Sequence, residues 1–453
     1  MKKIIKAQIM LSIVILTMSC QKNWLDAKPD KALVVPSTIA DYQALLDNTD
    51  DVFTLNEPAI GEMSSDYYFI PDQKWDFLPT PIEKYGYIWD PEPYKGETGY
   101  DWNNAYKHIS SANVILEGIN KLTQNASNIQ AWNNVKGSAL FFRAFSYYNM
   151  TQVYCKPYDP VNSNSTLGLP LRTSPIITTE ISRSSLKETF ELIFKDLIEA
   201  ESLLPTNPGF KNRPSKLAAQ ALLARIYLSI EDYQNALKYS ELVLKSNPQL
   251  INYNTVDSTA YSIFEPFNKE VIMRSTLTLF TSMIYLSGAV DSTFYKSFNS
   301  DDLRKTLYFR NFRNLYRYWG NYSGAQNPFF NGLATDEVYL INAESKTRTK
   351  AYGDAVAVLN TFLENRWRTG TFKPTKYTSE SNLLTQIISE RKKELIGRGV
   401  RWSDLRRLNK DSRFAITLTR TLKGTVYFLP PNDKRYTIQI PPDEIRRSGI
   451  QQN

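Results

Sequence analysis

Apolar residues recur at helical spacing along most of the chain, and this pattern predicts a mainly α-helical protein. Thr38-x-x-Asp41 and Ser185-x-x-Glu188 each read as a capping box directly ahead of an apolar helical face. The stretch 214–229 is rich in alanine and leucine, which is typical of a buried helix that a neighbouring helix approaches closely.

An internal repeat organises these helices into pairs. Ala224 and Ala236 are separated by the same number of residues as Ala343 and Ala355, and the second alanine of each pair ends a Tyr-x-x-Ala. This is the layout of a tetratricopeptide repeat, a helix hairpin of about 34 residues with small residues where the helices cross. We therefore predict a mostly α fold, in which such hairpins form a right-handed superhelical scaffold and long irregular loops carry the binding surface.

Two segments outside the repeats, 61–100 and 268–322, are unusually rich in aromatic residues. Aromatics make up 13% of the chain, with 28 Tyr, 22 Phe and 8 Trp. The first segment also carries several prolines, which exclude a long helix, and the second is interleaved with Ser, Thr, Asn and Gly. Long loops inside a repeat array are usually functional, so these two segments are the candidate binding region.

The N-terminus has the layout of a secretory signal peptide, predicted over residues 1–19. Lysines precede an almost wholly apolar run, Ile9–Leu16, which is too short to span a bilayer. Cys20 then follows a small residue, as in a bacterial lipobox, and predicts a lipid anchor at Cys20. The alternative is plain secretion with Cys20 in a propeptide.

Composition excludes several classes of function. The net charge of +8 is small for 453 residues and includes no polybasic block, so we expect no nucleic-acid partner. With one histidine, His108, and two cysteines, the chain cannot build a zinc site from several His or Cys ligands. We expect a structural role for His108 and a buried thiol at Cys155.

Charged residues cluster at two places in the sequence, around Asp291–Asp302 and over 390–407. We expect no cofactor; calcium at Asp291, Asp301 and Asp302 is the alternative, although the neighbouring basic residues favour ordinary surface or capping roles. The stretch 390–407 is dense in both charges and predicts a salt-bridged helix face, in which Trp402 packs.

Short motifs in order along the chain resemble the SusD/RagB family of outer-membrane nutrient-binding lipoproteins. They include Trp24-Leu25-Asp26, the helix 135–148 reading VKGSALFFRAFSYY, Gly168-Leu169-Pro170, Arg213-Pro214-Ser215-Lys216, Glu337–Glu344, Glu390–Arg406 and Ile440-Pro441-Pro442. The resemblance implies a lipid-anchored protein on the outer face of the outer membrane. It also implies a partner, a SusC-like TonB-dependent barrel transporter that imports the captured oligosaccharide, and it implies no enzymatic activity.

The same resemblance places the ligand site in the two aromatic segments. Trp and Tyr present broad apolar faces that suit the C–H face of a sugar ring, and Tyr adds a hydroxyl. The residues we predict to bind glycan are Asp66, Tyr67, Tyr68, Trp75, Phe280 and Tyr285. No catalytic and no metal-binding residue is predicted.

The predicted organisation has four parts along the chain. They are the signal peptide 1–19, a lipidated segment with the first helix at 20–60, an N-terminal region 61–330 with repeats and both aromatic segments, and a C-terminal region 331–453. Three other functions stay open: binding of peptide by the same architecture, glycoside hydrolysis through two carboxylates, and a scaffold for outer-membrane assembly.

Overall fold

The computed structural model describes residues 36–53, 56–176, 181–283 and 288–453. Residues Thr38–Asn453 form one compact unit, so the predicted boundary at 330/331 divides sequence segments within it. The predicted signal peptide, Cys20 and Tyr285 lie outside the described residues. Within the described ranges, no helix is both long enough and apolar enough to cross a membrane.

Helices make up the scaffold, as the sequence predicted. In chain order they are α1 Ile39–Asp47, α2 Ile60–Ser64, α3 Asp72–Asp76, α4 Pro81–Tyr87, α5 Tyr100–Asn120, α6 Ile129–Tyr154, α7 Leu186–Leu203, α8 Lys216–Ser229, α9 Tyr233–Ser246, α10 Ser292–Lys296, α11 Arg304–Leu307, α12 Thr335–Arg348, α13 Tyr352–Glu364, α14 Glu380–Glu394, α15 Arg401–Leu408 and α16 Pro442–Ser448. Short 3₁₀ turns lie at Tyr253–Thr255, Thr281–Met283 and Lys434–Tyr436.

Both predicted capping boxes are present. The Thr38 hydroxyl accepts from the Asp41 amide at the start of α1, and the Asp41 carboxylate accepts from the Thr38 amide. Ser185 and Glu188 make the same reciprocal pair ahead of α7. Each cap satisfies backbone N–H groups that the first turn leaves without a partner, and contributes about 1 kcal/mol.

The predicted repeats are confirmed as the helix hairpins α8–α9 and α12–α13. Ala224, Ala236, Ala343 and Ala355 are all fully buried where the helices cross. The two hairpins also stack directly, since α9 packs against α12. The intervening stretch 247–334 is therefore looped out of the array, and it contains the second aromatic segment.

The strands are short and pair two by two within the described residues. In chain order they are β1 Asn56–Glu57, β2 Tyr68–Phe69, β3 Val271–Met273, β4 Thr276–Leu277, β5 Ala289–Val290, β6 Phe309–Phe312, β7 Leu315–Tyr318, β8 Leu333–Ala334, β9 Leu418–Leu422 and β10 Thr425–Leu429. The pair β1–β4 is parallel, whereas β2–β5, β3–β8, β6–β7 and β9–β10 are antiparallel.

The charged stretch 390–407 is salt-bridged as predicted, but it lies in the interior rather than on a helix face. Arg366 is fully buried and bonds Glu394 and Glu270 through its guanidinium, at 2.8 and 3.0 Å. Arg391 bridges Asp404 of α15 and Glu337 of α12. These ion pairs tie the last repeat to the helices that follow it.

Candidate functional site

The structure brings the two aromatic segments together through one strand pair. Strand β2 of the first segment pairs with β5 of the second, with Phe69 opposite Ala289 and Tyr68 opposite Val290. The Asp291 amide then donates to the Tyr67 carbonyl at 2.8 Å, which continues the ladder. Two stretches far apart in the sequence therefore lie side by side in the fold.

Three of the predicted glycan-binding rings lie inside the protein, contrary to the expectation that they face a ligand. Tyr67, Tyr68 and Phe280 are 1%, 6% and 7% exposed. The Tyr67 hydroxyl donates to the Lys392 carbonyl at 2.6 Å, and its ring packs on Phe294 with centroids 5.0 Å apart. In this structure the three rings offer no open face to a sugar, and Tyr67 and Tyr68 join the two segments.

Asp66 has a structural partner on each side. Its carboxylate accepts two bonds from the Arg401 guanidinium, at 2.7 and 2.9 Å, and one from Lys392 at 2.7 Å. Burial alone would raise the pKa of Asp66, but the charges of Arg401 and Lys392 outweigh it and hold that pKa below its usual range. The predicted role of Asp66 in glycan binding would require it to leave this pair.

Trp75 is half-buried and belongs to a different neighbourhood. It packs edge-on to Tyr85, with centroids 6.3 Å apart, and Lys423 of the β9–β10 connection lies 5.2 Å from its ring centroid. Its indole N–H donates to the Lys84 carbonyl at 3.0 Å. Trp75 thus joins the first aromatic segment to the C-terminal hairpin β9–β10, where Phe77 and Phe428 are exposed.

The most open rings of the second segment surround the hairpin β6–β7. Its two-residue turn, Arg313–Asn314, has positive φ at both positions (53° and 64°), which matches the twist of the flanking strands. Phe312, next to the turn, is 51% exposed. We call the hairpin β6–β7 and the rings around it the hairpin site: Tyr261, Tyr295, Phe312, Tyr316 and Trp319.

One face of the hairpin site carries a stacked pair of tyrosines. The rings of Tyr295 and Tyr316 lie 3.4 Å apart at 14°, both half-buried, and Phe309 packs edge-on to Tyr295. Burial, and then the neighbouring Tyr316 hydroxyl, raise the pKa of Tyr295 to about 12. This face therefore combines apolar ring surface with a neutral hydroxyl.

The opposite face carries an edge-on pair and two arginines. Trp319 lies 6.1 Å from Tyr261 at 85°, and its indole N–H donates to the Tyr261 carbonyl at 2.9 Å. Arg310 donates to the Ala260 carbonyl at 3.2 Å. Arg317 lies directly opposite Arg310 in the strand ladder.

The acidic groups of the region already have partners. Asp302 bonds Arg304, Asp301 bonds Arg368, and Asp291 caps α10, so all three carboxylates predicted as the alternative calcium site are bonded within the protein. Another acidic group, Glu270, Asp336 and Glu394, has ligand-type oxygens within 4.8 Å of one another. This group is fully buried beside Arg366 and Arg398. The two guanidinium groups supply the positive charge that a metal ion would otherwise provide to the carboxylates.

Within that group, burial has a large effect on the pKa of Asp336. Burial raises its pKa to about 7, although the Arg398 guanidinium at 2.9 Å opposes the shift.

His108 and Cys155, at 2% and 0% exposed, are buried as expected, and burial raises the pKa of the Cys155 thiol to about 11. A thiol of this kind is unreactive near neutral pH.

Sequence reasoning identified the two segments but not the individual rings that stay open. Tyr295, Tyr316 and Trp319 lie in the predicted segment 268–322 and are half-buried around the hairpin β6–β7. The available signal was the alternation of aromatic and polar residues over 309–318 around Arg313-Asn314. Without an Asn-Gly or Asp-Gly turn, that signal is weak.

The fold is thus that of a repeat protein: stacked helix hairpins form the scaffold, and the candidate site lies on an insertion outside the repeats. Two family models match this chain. One is the SusD-like model described as "Starch-binding associating with outer membrane", over residues 23–228, and the other is the SusD family model, over residues 295–453. The chain belongs to the SusD/RagB family.

One curated relative is SusD-like protein P2 of Formosa agariphila, 28% identical over 146 residues. The match covers 32% of this chain and 26% of that protein, so the chain spans about a quarter of the relative's length.

Solved structures show the same fold over almost the whole chain. A SusD superfamily protein from Bacteroides thetaiotaomicron superposes with a TM-score of 0.76 at 22% identity, covering 92% of this chain and 99% of that one. A putative sugar binding protein from Bacteroides vulgatus gives 0.75 at 19%, covering 93% and 99%. A laminarin binding SusD-like protein gives 0.66 at 17%, covering 91% and 98%.

Proposed function

We propose that this protein is a cell-surface lipoprotein that binds oligosaccharides at the hairpin site and delivers them to a SusC-like TonB-dependent transporter. The observation that carries the proposal is the stacked pair Tyr295–Tyr316, half-exposed on an insertion that the repeat scaffold loops out. Membership of the SusD/RagB family supports it, as do the sugar binding and laminarin binding relatives of the same fold.

The physical argument rests on what a sugar presents to a protein. Each ring has a face of C–H groups and a rim of hydroxyls, so it gains from a flat apolar platform with a few hydrogen-bonding groups at the edge. Tyr316 and Trp319 supply such platforms on the two faces of one hairpin, and the exposed Asn311 and Asn314 supply amides beside them. Binding of this kind needs no catalytic group.

Glycoside hydrolysis is the less favoured alternative. A glycosidase needs two carboxylates about 5–10 Å apart on either side of the scissile bond. Among the described residues, the three carboxylates of Glu270, Asp336 and Glu394 lie within 4.8 Å of one another, but they are sealed inside the protein with arginines and cannot reach a sugar chain. Release of reducing sugar by the purified protein would favour hydrolysis over binding.

Affinity electrophoresis through gels that contain single polysaccharides tests glycan binding, and a peptide library tests the peptide alternative. We expect retardation by at least one polysaccharide and no peptide selection. Tyr316→Ala should weaken that binding by about 3- to 10-fold, which is the value of one aromatic contact. Tyr377→Ala is the matched control. Tyr377 is also a half-exposed tyrosine in a stacked pair, with its ring centroid 4.7 Å from that of Tyr352, but it lies outside the hairpin site.

Anchoring and transport need separate experiments. Mass spectrometry of protein from membranes should find a lipid-modified Cys20 at the mature N-terminus, and Cys20→Ala should release the protein from the outer-membrane fraction. Affinity purification of the tagged protein from detergent-solubilised membranes should recover a barrel transporter. Recovery of the protein without a barrel, at wild-type lipidation, would contradict the transport role but leave glycan binding in place.

A further inference from the structure

One face of the hairpin site carries the guanidinium groups of Arg310 and Arg317. The two arginines are directly opposite each other on β6 and β7, a position where like charges destabilise a sheet. Neither forms an ion pair with any described carboxylate. Asp257 interacts electrostatically with Arg310, but its carboxylate accepts hydrogen bonds from the Thr259 hydroxyl and amide, at 2.7 and 2.8 Å.

Arg317 is the more unusual of the pair. Its side chain is covered, with only 5% of the residue exposed, yet its Nε and Nη1 donors have no hydrogen-bond partner. Buried polar groups are nearly always bonded, and a charged donor left without an acceptor is among the costliest exceptions. These two donors are covered in this structure, so an acceptor from outside meets the half-buried Arg310 first and bonds Arg317 only when the cover moves.

The segment 260–261 is bonded to the hairpin face that carries Arg317. The Ala260 carbonyl accepts from Arg310 and the Tyr261 carbonyl accepts from Trp319, so this segment is bonded to two neighbours of Arg317. Residues 310, 317 and 319 share one face of the hairpin because strand residues alternate. The segment thus brings the 77%-exposed Tyr261 ring to the Trp319 ring, on the face that carries Arg317.

We propose that Arg310 and Arg317 form an anion subsite that receives the carboxylate or sulfate of an acidic sugar, while Trp319 and Tyr261 contact its ring. This inference rests on the proposed function and names the substrate class of the same site as acidic oligosaccharides. A guanidinium suits both groups, because its planar fork of N–H donors matches two oxygens at once. The counter-charge also removes the repulsion between the two arginines.

The test compares acidic glycans with neutral counterparts by calorimetry on the full chain. The probes are a galacturonic acid hexamer and a carrageenan hexamer, each with its carboxyl-reduced or desulfated form. We expect at least one acidic hexamer to bind about 10-fold or more tightly than its neutral form, with an affinity that falls as salt rises. The two pairs distinguish a carboxylate ligand from a sulfate ligand.

Two variants distinguish a binding role for Arg317 from a structural one. Arg317→Met should remove the preference for the acidic form yet leave the melting temperature unchanged or raised, because it deletes donors that have no partner. Arg446→Gln, which removes an exposed charge on α16, should leave the preference intact. A structural role predicts the opposite for Arg317→Met, namely a lowered melting temperature.

Each outcome decides between the two claims. Equal affinity for acidic and neutral forms, or binding of neutral glycans such as laminarin alone, overturns the anion subsite and leaves the proposed function in place. An acidic preference that survives Arg317→Met also overturns it. Failure of every glycan to bind, together with selection of peptides, overturns both the subsite and the proposed function.

Discussion

The Tyr68 hydroxyl donates a 2.8 Å hydrogen bond to Glu62, which links the strand that joins the two aromatic segments to helix α2. The same carboxylate accepts from the amides of Gly397 and Gly399, both at 2.9 Å, between α14 and α15. Glu62 therefore connects the strand pair beneath the hairpin site to the C-terminal helices.

Glu62 should make the stability of the protein depend on pH. Burial raises its pKa from 4.5 to about 7, against the hydrogen bonds that it accepts. A raised carboxyl pKa means that the folded state binds the proton more tightly than the unfolded state. The contribution of Glu62 to stability is therefore complete below pH 4.5 and is lost as pH rises through about 7.

Urea unfolding at pH 5 and pH 8 measures this effect. Glu62→Gln cannot ionise, so the loss of unfolding free energy between the two pH values should be smaller in this variant than in the wild type. Glu117→Gln, which removes an exposed carboxylate on α5, should lose as much as the wild type. An unchanged pH dependence in Glu62→Gln would show that Glu62 does not titrate in this range.

Removal of Arg366 should be strongly destabilising. Its guanidinium bonds Glu394 and Glu270 in the interior. Arg366→Met leaves the buried Glu270 without its cation and Glu394 with Arg304 alone, and it should cost about 3–5 kcal/mol of unfolding free energy. Two residues further on, Arg368 pairs with Asp301 at the surface, and Arg368→Met should cost less than about 1 kcal/mol. Similar losses in the two variants would contradict a buried network.

Two glycines should respond oppositely to alanine. A Cβ on Gly168 would lie 2.5 Å from the Ser185 carbonyl oxygen at the cap of α7, so Gly168→Ala should destabilise by about 1–3 kcal/mol. Gly353, in the first turn of α13, has open space around it, and Gly353→Ala should leave stability unchanged or raise it by up to about 1 kcal/mol. Thermal unfolding of both variants measures the difference, and a stable Gly168→Ala would mean that the cap can move.

Trp75 and Trp319 allow the two exposed aromatic regions to be compared for glycan binding. Trp319→Ala should weaken binding about 3- to 10-fold, because Trp319 belongs to the hairpin site. Trp75→Ala tests the prediction from sequence that Trp75 binds glycan. Trp75 lies beside the C-terminal hairpin β9–β10 and not in the hairpin site. A loss of affinity in Trp75→Ala alone, in calorimetry with the glycan that retards the wild type, would place the ligand at β9–β10 instead.

The helices were found where the sequence predicted them, whereas several rings predicted to bind glycan are buried, and the difference has a physical reason. The capping boxes at Thr38 and Ser185 and the alanines of the two repeats act over a few residues, so local sequence is enough to predict them. Tyr67 and Tyr295 lie in equally aromatic surroundings, yet one is buried and the other half-exposed. Their accessibility depends on partners such as Phe294 and Tyr316, which distant segments bring to them.

The sequence by itself determined the helix hairpins, the repeat spacing and the two segments that stand outside it, because periodicity and capping are local properties. Only the tertiary structure decided that 390–407 is a buried ion-pair network and that β2 pairs with β5. It also decided that Arg310 and Arg317 lie opposite each other with no ion pair to a carboxylate among the described residues. These features depend on contacts between residues far apart in the chain, whose geometry is set when the insertion 247–334 folds back on the stacked hairpins.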